Sequence, residues 1–193
     1  LIAQLIHQQV SPWVDEDHVA RVLGFCTGGG CSAIACGQAF PMAHVDAVDI
    51  SSDALAVAEI NRQQHGVQEQ LTLIASDCFD AVPEVQYDII VSNPPYVGHD
   101  EMQTLPDEYR HEPVLALETG LNGLEIVERI LYAAGRYLTP NGILVVEVGN
   151  SEEALVEAFP HVPFTWLEFE HGGHGVFLLS AEHVLKYFGA DIP

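Results

Sequence analysis

The segment from Asn93 to Tyr96 carries the residues whose types and order are best suited to chemistry. It reads Asn-Pro-Pro-Tyr and directly follows an apolar run, Tyr87 to Ser92, that predicts a buried β-strand. Pro94 and Pro95 cannot continue a strand, and the first proline holds Asn93 in an extended conformation. We therefore expect a stiff loop that presents an amide side chain and backbone carbonyls. Such a loop suits a planar group that bears an NH2, for example an amide or an exocyclic amine.

Three further polar segments follow earlier predicted strands, at the strand ends where open sheets bind ligands. The glycine-rich turn Thr27–Gly30 follows the first strand, Asp49 ends the second, and Asp77 follows the third. A glycine turn lets the backbone approach a ligand, and an acidic residue at the end of a second strand suits ribose hydroxyls. Asp77 can accept a hydrogen bond from an adenine amino group, with apolar Cys78 beside it. Together these segments favour a nucleoside-bearing cofactor.

Each of these residues also has a purely structural explanation. The glycine turn could be only a tight connection from strand to helix. Asp49 could be a turn residue or a helix cap, in competition with Ser51 or Ser52. Asn93 could be a turn former before proline. The occurrence of all four features after successive strands favours ligand binding over the separate explanations.

Apolar runs that alternate with helical patterns predict the strands and helices that carry these segments. Strands rich in Val and Ile and separated by helices predict an α/β fold with a doubly wound, mostly parallel sheet of seven strands. The glycine-rich turn from His171 to Gly175 joins the last two strands and predicts an antiparallel C-terminal hairpin. The predicted strands are Val19–Cys26, Val45–Ile50, Leu71–Ala75, Tyr87–Ser92, Gly142–Val148, Phe164–Glu170 and Val176–Ser180. The predicted helices are Cys31–Phe40, Asp53–His65, Leu124–Leu138 and Asn150–Phe159, the last two opened by the capping pairs Asn122/Glu125 and Asn150/Glu153.

Length and charge limit the classes of partner. The 193 residues suit one domain, and six basic residues against 28 acidic ones give a net charge of -22. A field of that sign repels nucleic acid and anionic lipid and favours a basic protein partner, although acidity can also serve solubility alone. Because the apolar runs are short and the start lacks the features of a signal peptide, we expect a cytoplasmic protein.

Cysteines and histidines do not predict a metal site. The cysteines have no zinc or iron–sulfur spacing and are interpreted as reduced thiols; they are Cys26, Cys31, Cys36 and Cys78. The closest histidine pair, His171 and His174, lies in the predicted glycine-rich turn without a neighbouring ligand motif.

The strand-end motifs resemble those of the bacterial N5-glutamine methyltransferases that use S-adenosylmethionine. The matching segments are Cys26–Cys31, Asp46–Ser51 and Asn93–Val97. The segment Leu105–Pro113, with Tyr109, Arg110 and His111 at its centre, is closer to the branch that methylates large-subunit ribosomal protein three. The resemblance implies a Rossmann-like class I methyltransferase fold, S-adenosylmethionine as cofactor, and a basic translation protein as substrate.

The resemblance also implies roles for individual residues. The expected cofactor contacts are Thr27, Gly28, Gly30, Asp49, Ile50, Asp77, Cys78 and Asn93. The Asn93 side-chain carbonyl and the Pro94 backbone carbonyl would each accept a hydrogen bond from the substrate NH2. Pro95 belongs to the same substrate loop, and Tyr96 would pack on the flat amide.

Two positions depart from the family pattern, and one segment is expected to be incomplete. Gly24 and Gly29 stand where aspartate and serine are usual. In the family, the carboxylate at this position helps to hold the amino-acid end of the cofactor. Its absence at position 24 is therefore expected to affect cofactor affinity. Family members carry an N-terminal helical domain, so we expect residues 1–18 to be a remnant of its linker and residues 19–193 to be the catalytic domain.

Alternative functions remain open at this point. The same reaction on peptide chain release factors is one, since that branch keeps a Glu-Pro pair like Glu112-Pro113. Adenine-N6 methylation of DNA is another, because the same loop type grips the amine of a flipped base, but the acidic charge argues against it. A non-catalytic cofactor-binding module is a third, suggested by Gly24.

Overall fold

A computed structural model of the chain describes residues 10, 12–95, 124–169 and 174–189. Seven strands form one sheet, with helices on both of its faces. The strands are β1 (Arg21–Phe25), β2 (His44–Asp49), β3 (Leu71–Ala75), β4 (Tyr87–Ser92), β5 (Leu138–Glu147), β6 (Thr165–Trp166) and β7 (Val176–Ser180). The helices are α1 (Cys31–Ala39), α2 (Ser52–Gln64), α3 (Glu125–Ala134), α4 (Glu152–Ala158) and α5 (Ala181–Phe188). Within the described ranges, no helix has both the length and the apolar character to cross a membrane.

The order of the strands confirms the predicted doubly wound sheet. It runs β3-β2-β1-β4-β5-β7-β6. The first five strands pair in parallel, whereas β7 runs antiparallel to both β5 and β6. The ends of β1 to β4 therefore meet at one side of the sheet, here termed the carboxyl edge. The chain order reverses between β1 and β4, which is the switch point where open sheets bind ligands.

Two buried apolar clusters hold this sheet in place. Side chains alternate along each strand, so that Val22 belongs to the cluster under α1 while Leu23 belongs to the cluster under α3 and α5. Val10 is also fully buried in the first cluster. Each large apolar side chain removed from water contributes about 1.5–3 kcal/mol. The clusters thereby fix the strands whose ends form the carboxyl edge.

The predicted end of the helix α3 was wrong. The helix ends at Ala134, and Leu138 is the first residue of β5, paired with Tyr87 of β4. An apolar residue four positions along fits either a helix or a buried strand, so spacing alone could not separate the two. The register of β4 and β5 then shifts between Tyr87 and Ile89. Gly142 lies at this irregularity, where a Cβ would be crowded at 3.0 Å from the Tyr87 carbonyl oxygen.

Further differences lie near the C-terminal strands. The helix α5 was not predicted; Ser180 caps it by accepting from the His183 N–H at 3.3 Å. Among the described residues of the predicted strand Phe164–Glu170, β6 alone is a strand, and Glu170 lies outside the described residues. Asn150 lies in a short 3-10 turn, 3.3 Å from His174 Nε2, instead of opening α4 by a capping bond. Asn122 lies outside the described residues.

A buried polar pair offers a test of the packing. The Tyr87 hydroxyl donates to Asp46 Oδ2 at 2.8 Å, and the two residues are 0% and 3% exposed. His44 Nε2 lies 3.2 Å from Asp46 Oδ1. We expect Tyr87→Phe to lower the free energy of unfolding by about 1–3 kcal/mol, because the buried carboxylate loses a donor. Urea unfolding measures it, with Tyr132→Phe at an exposed position as control. Equal stability of both variants and the wild type would contradict this role.

Candidate functional site

The turn after β1 is shaped by glycines with left-handed backbone. Gly28 and Gly30 have φ angles of 52° and 84°. A Cβ on Gly30 would lie 3.2 Å from the Cβ of Ala58, whereas one on Gly28 would meet no atom within 4 Å. Asn61 Nδ2 donates to the Gly29 carbonyl at 2.8 Å, a contact that the sequence did not reveal. The turn is therefore held by α2 and keeps open space beside Gly28.

Asp49 ties the end of β2 to this turn. Its Oδ2 accepts from the Gly28 N–H at 2.8 Å, and its Oδ1 accepts from the Ser51 N–H at 2.9 Å. Ser51, not Asp49, caps α2, since its hydroxyl accepts from the Ala54 N–H at 3.2 Å. A carboxylate oxygen can accept more than one hydrogen bond, so half-buried Asp49 keeps capacity for a ligand hydroxyl. Ile50 beside it is 65% exposed.

Asp77 stands in a hydrogen-bonded turn after β3. The Ser76 N–H donates to the Asp49 carbonyl at 3.0 Å, which joins the two strand ends. The Ser76 hydroxyl accepts from the Ala81 N–H at 2.9 Å. Asp77 Oδ1 accepts from Arg129 Nη1, on α3, at 2.7 Å. The sequence did not predict this ion pair, because the only signal was that Arg129 is one of six basic residues.

Two cysteines flank these carboxylates as neutral thiols. Cys26 and Cys78 have φ angles of 51° and 47°, so each lies at a tight bend of the backbone. Burial raises the pKa of the Cys26 thiol to about 12, and burial also raises the pKa of Cys78. The Phe79 ring packs 4.4 Å from the Phe25 ring, centroid to centroid, and thus belongs to the core. Cys78 is the half-buried apolar neighbour of Asp77 in this turn.

Asn93 follows β4 on the other side of the switch point. The parallel register pairs Phe25 with Ser92, which brings Asn93 level with the turn after β1. Asn93 is exposed, Pro94 is buried and Pro95 is half-buried. A buried proline with a fixed φ angle anchors the loop. The exposed amide is therefore presented from a well-held backbone.

The predicted site residues that the structure describes all lie along the carboxyl edge. They are Thr27, Gly28, Gly30, Asp49, Ile50, Asp77, Cys78, Asn93, Pro94 and Pro95. Tyr96 and the segment from Tyr109 to His111 lie outside the described residues. Gly24 is buried in β1, where a Cβ would lie 3.7 Å from Val91 Cγ2 and 4.0 Å from the Ala33 Cβ. These are ordinary contact distances, so sterics do not require glycine at position 24.

Thr27 tests whether this edge suits a nucleoside. The residue is 9% exposed, and its hydroxyl is buried without a hydrogen-bond partner among the described residues. An unpaired buried polar group costs about 1–3 kcal/mol, so a ligand that supplies a partner is favoured there. Together with the space beside Gly28 and the carboxylate of Asp49, this set of donors and acceptors fits a ribose-bearing cofactor.

The close packing of Gly30 against α2 can be tested by substitution. We expect Gly30→Ala to destabilise the protein more than Gly66→Ala, although both glycines have positive φ angles. Backbone strain costs about 1–2 kcal/mol in either variant. Only the first also crowds Ala58, because a Cβ on Gly66 would meet no atom within 4 Å. Urea unfolding of the two variants compares them directly. Equal losses would show that the approach of the turn to α2 is not tight.

Comparison with known proteins finds related methyltransferases. Residues 8–108 match the family model of the methyltransferase small domain. The chain is 49% identical over 187 residues to the ribosomal protein uL3 glutamine methyltransferase of Francisella tularensis subsp. tularensis, covering 96% of this chain and 60% of that protein. It is 47% identical over 184 residues to the protein of the same name from Bordetella pertussis, covering 95% and 62%. The chain thus spans about three fifths of the length of these relatives.

A solved methyltransferase structure has the same fold. The ribosomal protein L11 methylase of Lactobacillus delbrueckii subsp. bulgaricus superimposes with a TM-score of 0.61 at 18% identity, covering 93% of this chain and 75% of that one. At this identity the likeness concerns architecture alone, and that architecture is the class I methyltransferase sheet. Since the family model also matches more than half of the residues, the chain belongs to the methyltransferase small domain family.

Proposed function

We propose that residues 19–193 form the catalytic domain of an S-adenosylmethionine-dependent enzyme that methylates a glutamine side chain of ribosomal protein uL3. The observation that carries the proposal is the 47–49% identity, over nearly the whole chain, to relatives named for this activity. The exposed Asn93 at the switch point, level with the glycine turn, supports it from the geometry.

Residues of the carboxyl edge would contact the ribose, the adenine and the remaining polar groups of the cofactor. Asp49 would accept the ribose hydroxyls, with Ile50 as an exposed apolar neighbour. Asp77 would accept from the adenine amino group, and Cys78 would contact the ring. The Thr27 hydroxyl and the turn containing Gly28 and Gly30 would face the remaining polar groups. When bound, S-adenosylmethionine supplies a methyl group that its positively charged sulfur already activates.

The loop after β4 would hold the other reactant. An amide nitrogen is a poor nucleophile, because its lone pair is delocalised into the carbonyl. The Asn93 side-chain oxygen and the Pro94 backbone oxygen would each accept a hydrogen bond from one N–H of the substrate NH2, and so fix the orientation of that nitrogen. The prolines hold these acceptors before the substrate arrives, which lowers the entropy cost of the reactive arrangement. Pro95 would complete the loop, and the predicted contact of Tyr96 with the amide plane stays a prediction.

The charge of the chain supports a protein substrate. A net charge of -22 attracts a basic partner and repels the phosphates of nucleic acid. Such long-range attraction raises the association rate and weakens with salt. We therefore propose a basic translation protein as partner, and uL3 in preference to the release factors because the two relatives bear its name.

Parallel labelling reactions test the proposal. The purified protein is incubated with methyl-labelled S-adenosylmethionine and, in separate reactions, with uL3, with peptide chain release factors and with duplex DNA. Label in uL3 alone is the expected result. Label in the release factors instead would transfer the activity to that substrate, and label in DNA would replace it with base methylation. Absence of label from all three substrates would contradict the proposed function.

A further inference from the structure

The ion pair between Arg129 and Asp77 has no part in the function proposed above. Arg129 Nη1 lies 2.7 Å from Asp77 Oδ1, and the two side chains are 39% and 46% exposed. Ion pairs exposed to this degree contribute little to stability, because water and salt screen them. The contact joins α3 to the turn after β3, but it is therefore expected to add little to the free energy of unfolding.

The contact acts on the one part of Asp77 that the turn leaves unfixed. The backbone is held by the bond from the Asp80 N–H to the Asp77 carbonyl at 3.2 Å and by the bonds of Ser76. The carboxylate can still rotate about its own side-chain bonds. Among the residues that the structure describes, Arg129 is the hydrogen-bond partner of this carboxylate. The guanidinium thus selects the orientation of Asp77.

The orientation matters because the two carboxylate oxygens then differ. Oδ1 is engaged by Arg129, while Oδ2 keeps its capacity to accept from a ligand. Asp80 stands nearby in the same turn, so the guanidinium also offsets a local concentration of negative charge. An oriented acceptor favours an amino group over a group that cannot donate. Adenine bears such an amino group, and purine with hydrogen at that carbon does not.

We propose that Arg129 is a positioning residue for the cofactor, which fixes Asp77 Oδ1 so that Oδ2 meets the exocyclic amine of adenine. Arg129 thereby sets the preference for an adenine base without touching it. The inference rests on the proposed function, because it requires the nucleoside of the cofactor at the carboxyl edge.

Calorimetry with two ligands tests this role. One ligand is S-adenosylhomocysteine, and the other is its analogue with unsubstituted purine as the base. We expect Arg129→Ala to raise the Kd of S-adenosylhomocysteine about fivefold to tenfold, within the range of couplings between contacting residues. The Kd of the purine analogue should change by less than about twofold, so the preference for the amine shrinks. Arg129→Lys, which keeps a donor and the charge, should restore part of the preference.

A double-mutant cycle and a charge control complete the test. In an Asp77→Ala background, Arg129→Ala should have no further effect on the Kd of S-adenosylhomocysteine. Arg136→Ala makes the same charge change at an exposed position just beyond α3 and should leave both affinities unchanged. An equal loss of affinity for the two ligands in Arg129→Ala would overturn the inference alone. Failure of the wild-type protein to bind S-adenosylhomocysteine would overturn the proposed function and the inference with it.

Discussion

Replacing Asn93 with alanine should reduce methyl transfer to uL3 by about 100- to 1000-fold, the range found when one preorganised polar group is removed from an active site. Asn93 is exposed at the switch point, and the buried Pro94 beside it anchors its backbone. Without the amide oxygen, one hydrogen of the substrate NH2 loses its acceptor, and the nitrogen is free to turn away from the methyl group. Single-turnover rates with saturating uL3 and labelled S-adenosylmethionine measure the loss.

The same variant should still bind cofactor, which separates placement of the substrate from loss of the fold. Because Asn93 is also an expected cofactor contact, calorimetry with S-adenosylhomocysteine should show a Kd raised by no more than about tenfold, since the contacts proposed for Asp49 and Asp77 remain. Asn141→Ala is a matched control, because Asn141 is also exposed and also adjoins a proline, Pro140, but lies in β5 away from the carboxyl edge. Wild-type rates in Asn93→Ala would contradict the assigned role.

Replacing Asp49 with alanine should have its largest effect on cofactor affinity. Hydrogen bonds to a charged group contribute about 1.5–3 kcal/mol each, so the loss of two ribose contacts should raise the Kd at least about 100-fold. The change also leaves the N–H groups of Gly28 and Ser51 without the acceptor that they share. The turn itself should then be less well ordered, which adds to the loss.

Two further variants help to interpret the effect of Asp49→Ala on cofactor affinity. Asp53→Ala removes a carboxylate from the exposed first turn of α2 and should leave the affinity for S-adenosylhomocysteine unchanged. Asp49→Asn keeps the shape and one acceptor oxygen, and it should lie between the alanine variant and the wild type. Thermal unfolding of all three variants reports how much of the loss comes from the turn. Unchanged affinity in Asp49→Ala would show that the ribose lies elsewhere.

The carboxyl edge could be predicted from sequence because strand ends and parallel pairing leave strong local signals. The strands β3 and β4 begin and end where the apolar runs predict them. Once strands separated by helices pair in parallel, their following residues must meet at one edge, whatever the details of packing. For that reason Asp49, Asp77 and Asn93 could be placed relative to the glycine turn before any coordinates.

The sequence could not predict contacts between side chains and groups that lie far apart along the chain. Arg129 reaches Asp77 across 52 positions of the chain, and no spacing rule relates the two residues. The bond from Asn61 to the Gly29 carbonyl spans 32 positions and has the same character. The predicted end of α3 was wrong for another reason. Leu138 fits a helical spacing, but it is the first residue of β5 and pairs with Tyr87 of β4. Tertiary pairing decided where local pattern was ambiguous.

Mapping the methyl group by mass spectrometry tests the central proposal most directly. The protein is incubated with uL3 and S-adenosylmethionine, uL3 is digested, and the fragments are sequenced, with Asn93→Ala protein in a parallel reaction. We expect one added methyl group on the side-chain nitrogen of a glutamine, and at equal, short reaction times at least about 100-fold less of it with Asn93→Ala than with wild-type protein. A methyl group on a lysine or on the N-terminus would contradict the proposed amide substrate. Equal amounts of methylated glutamine with Asn93→Ala and with wild-type protein would contradict the proposed role of Asn93.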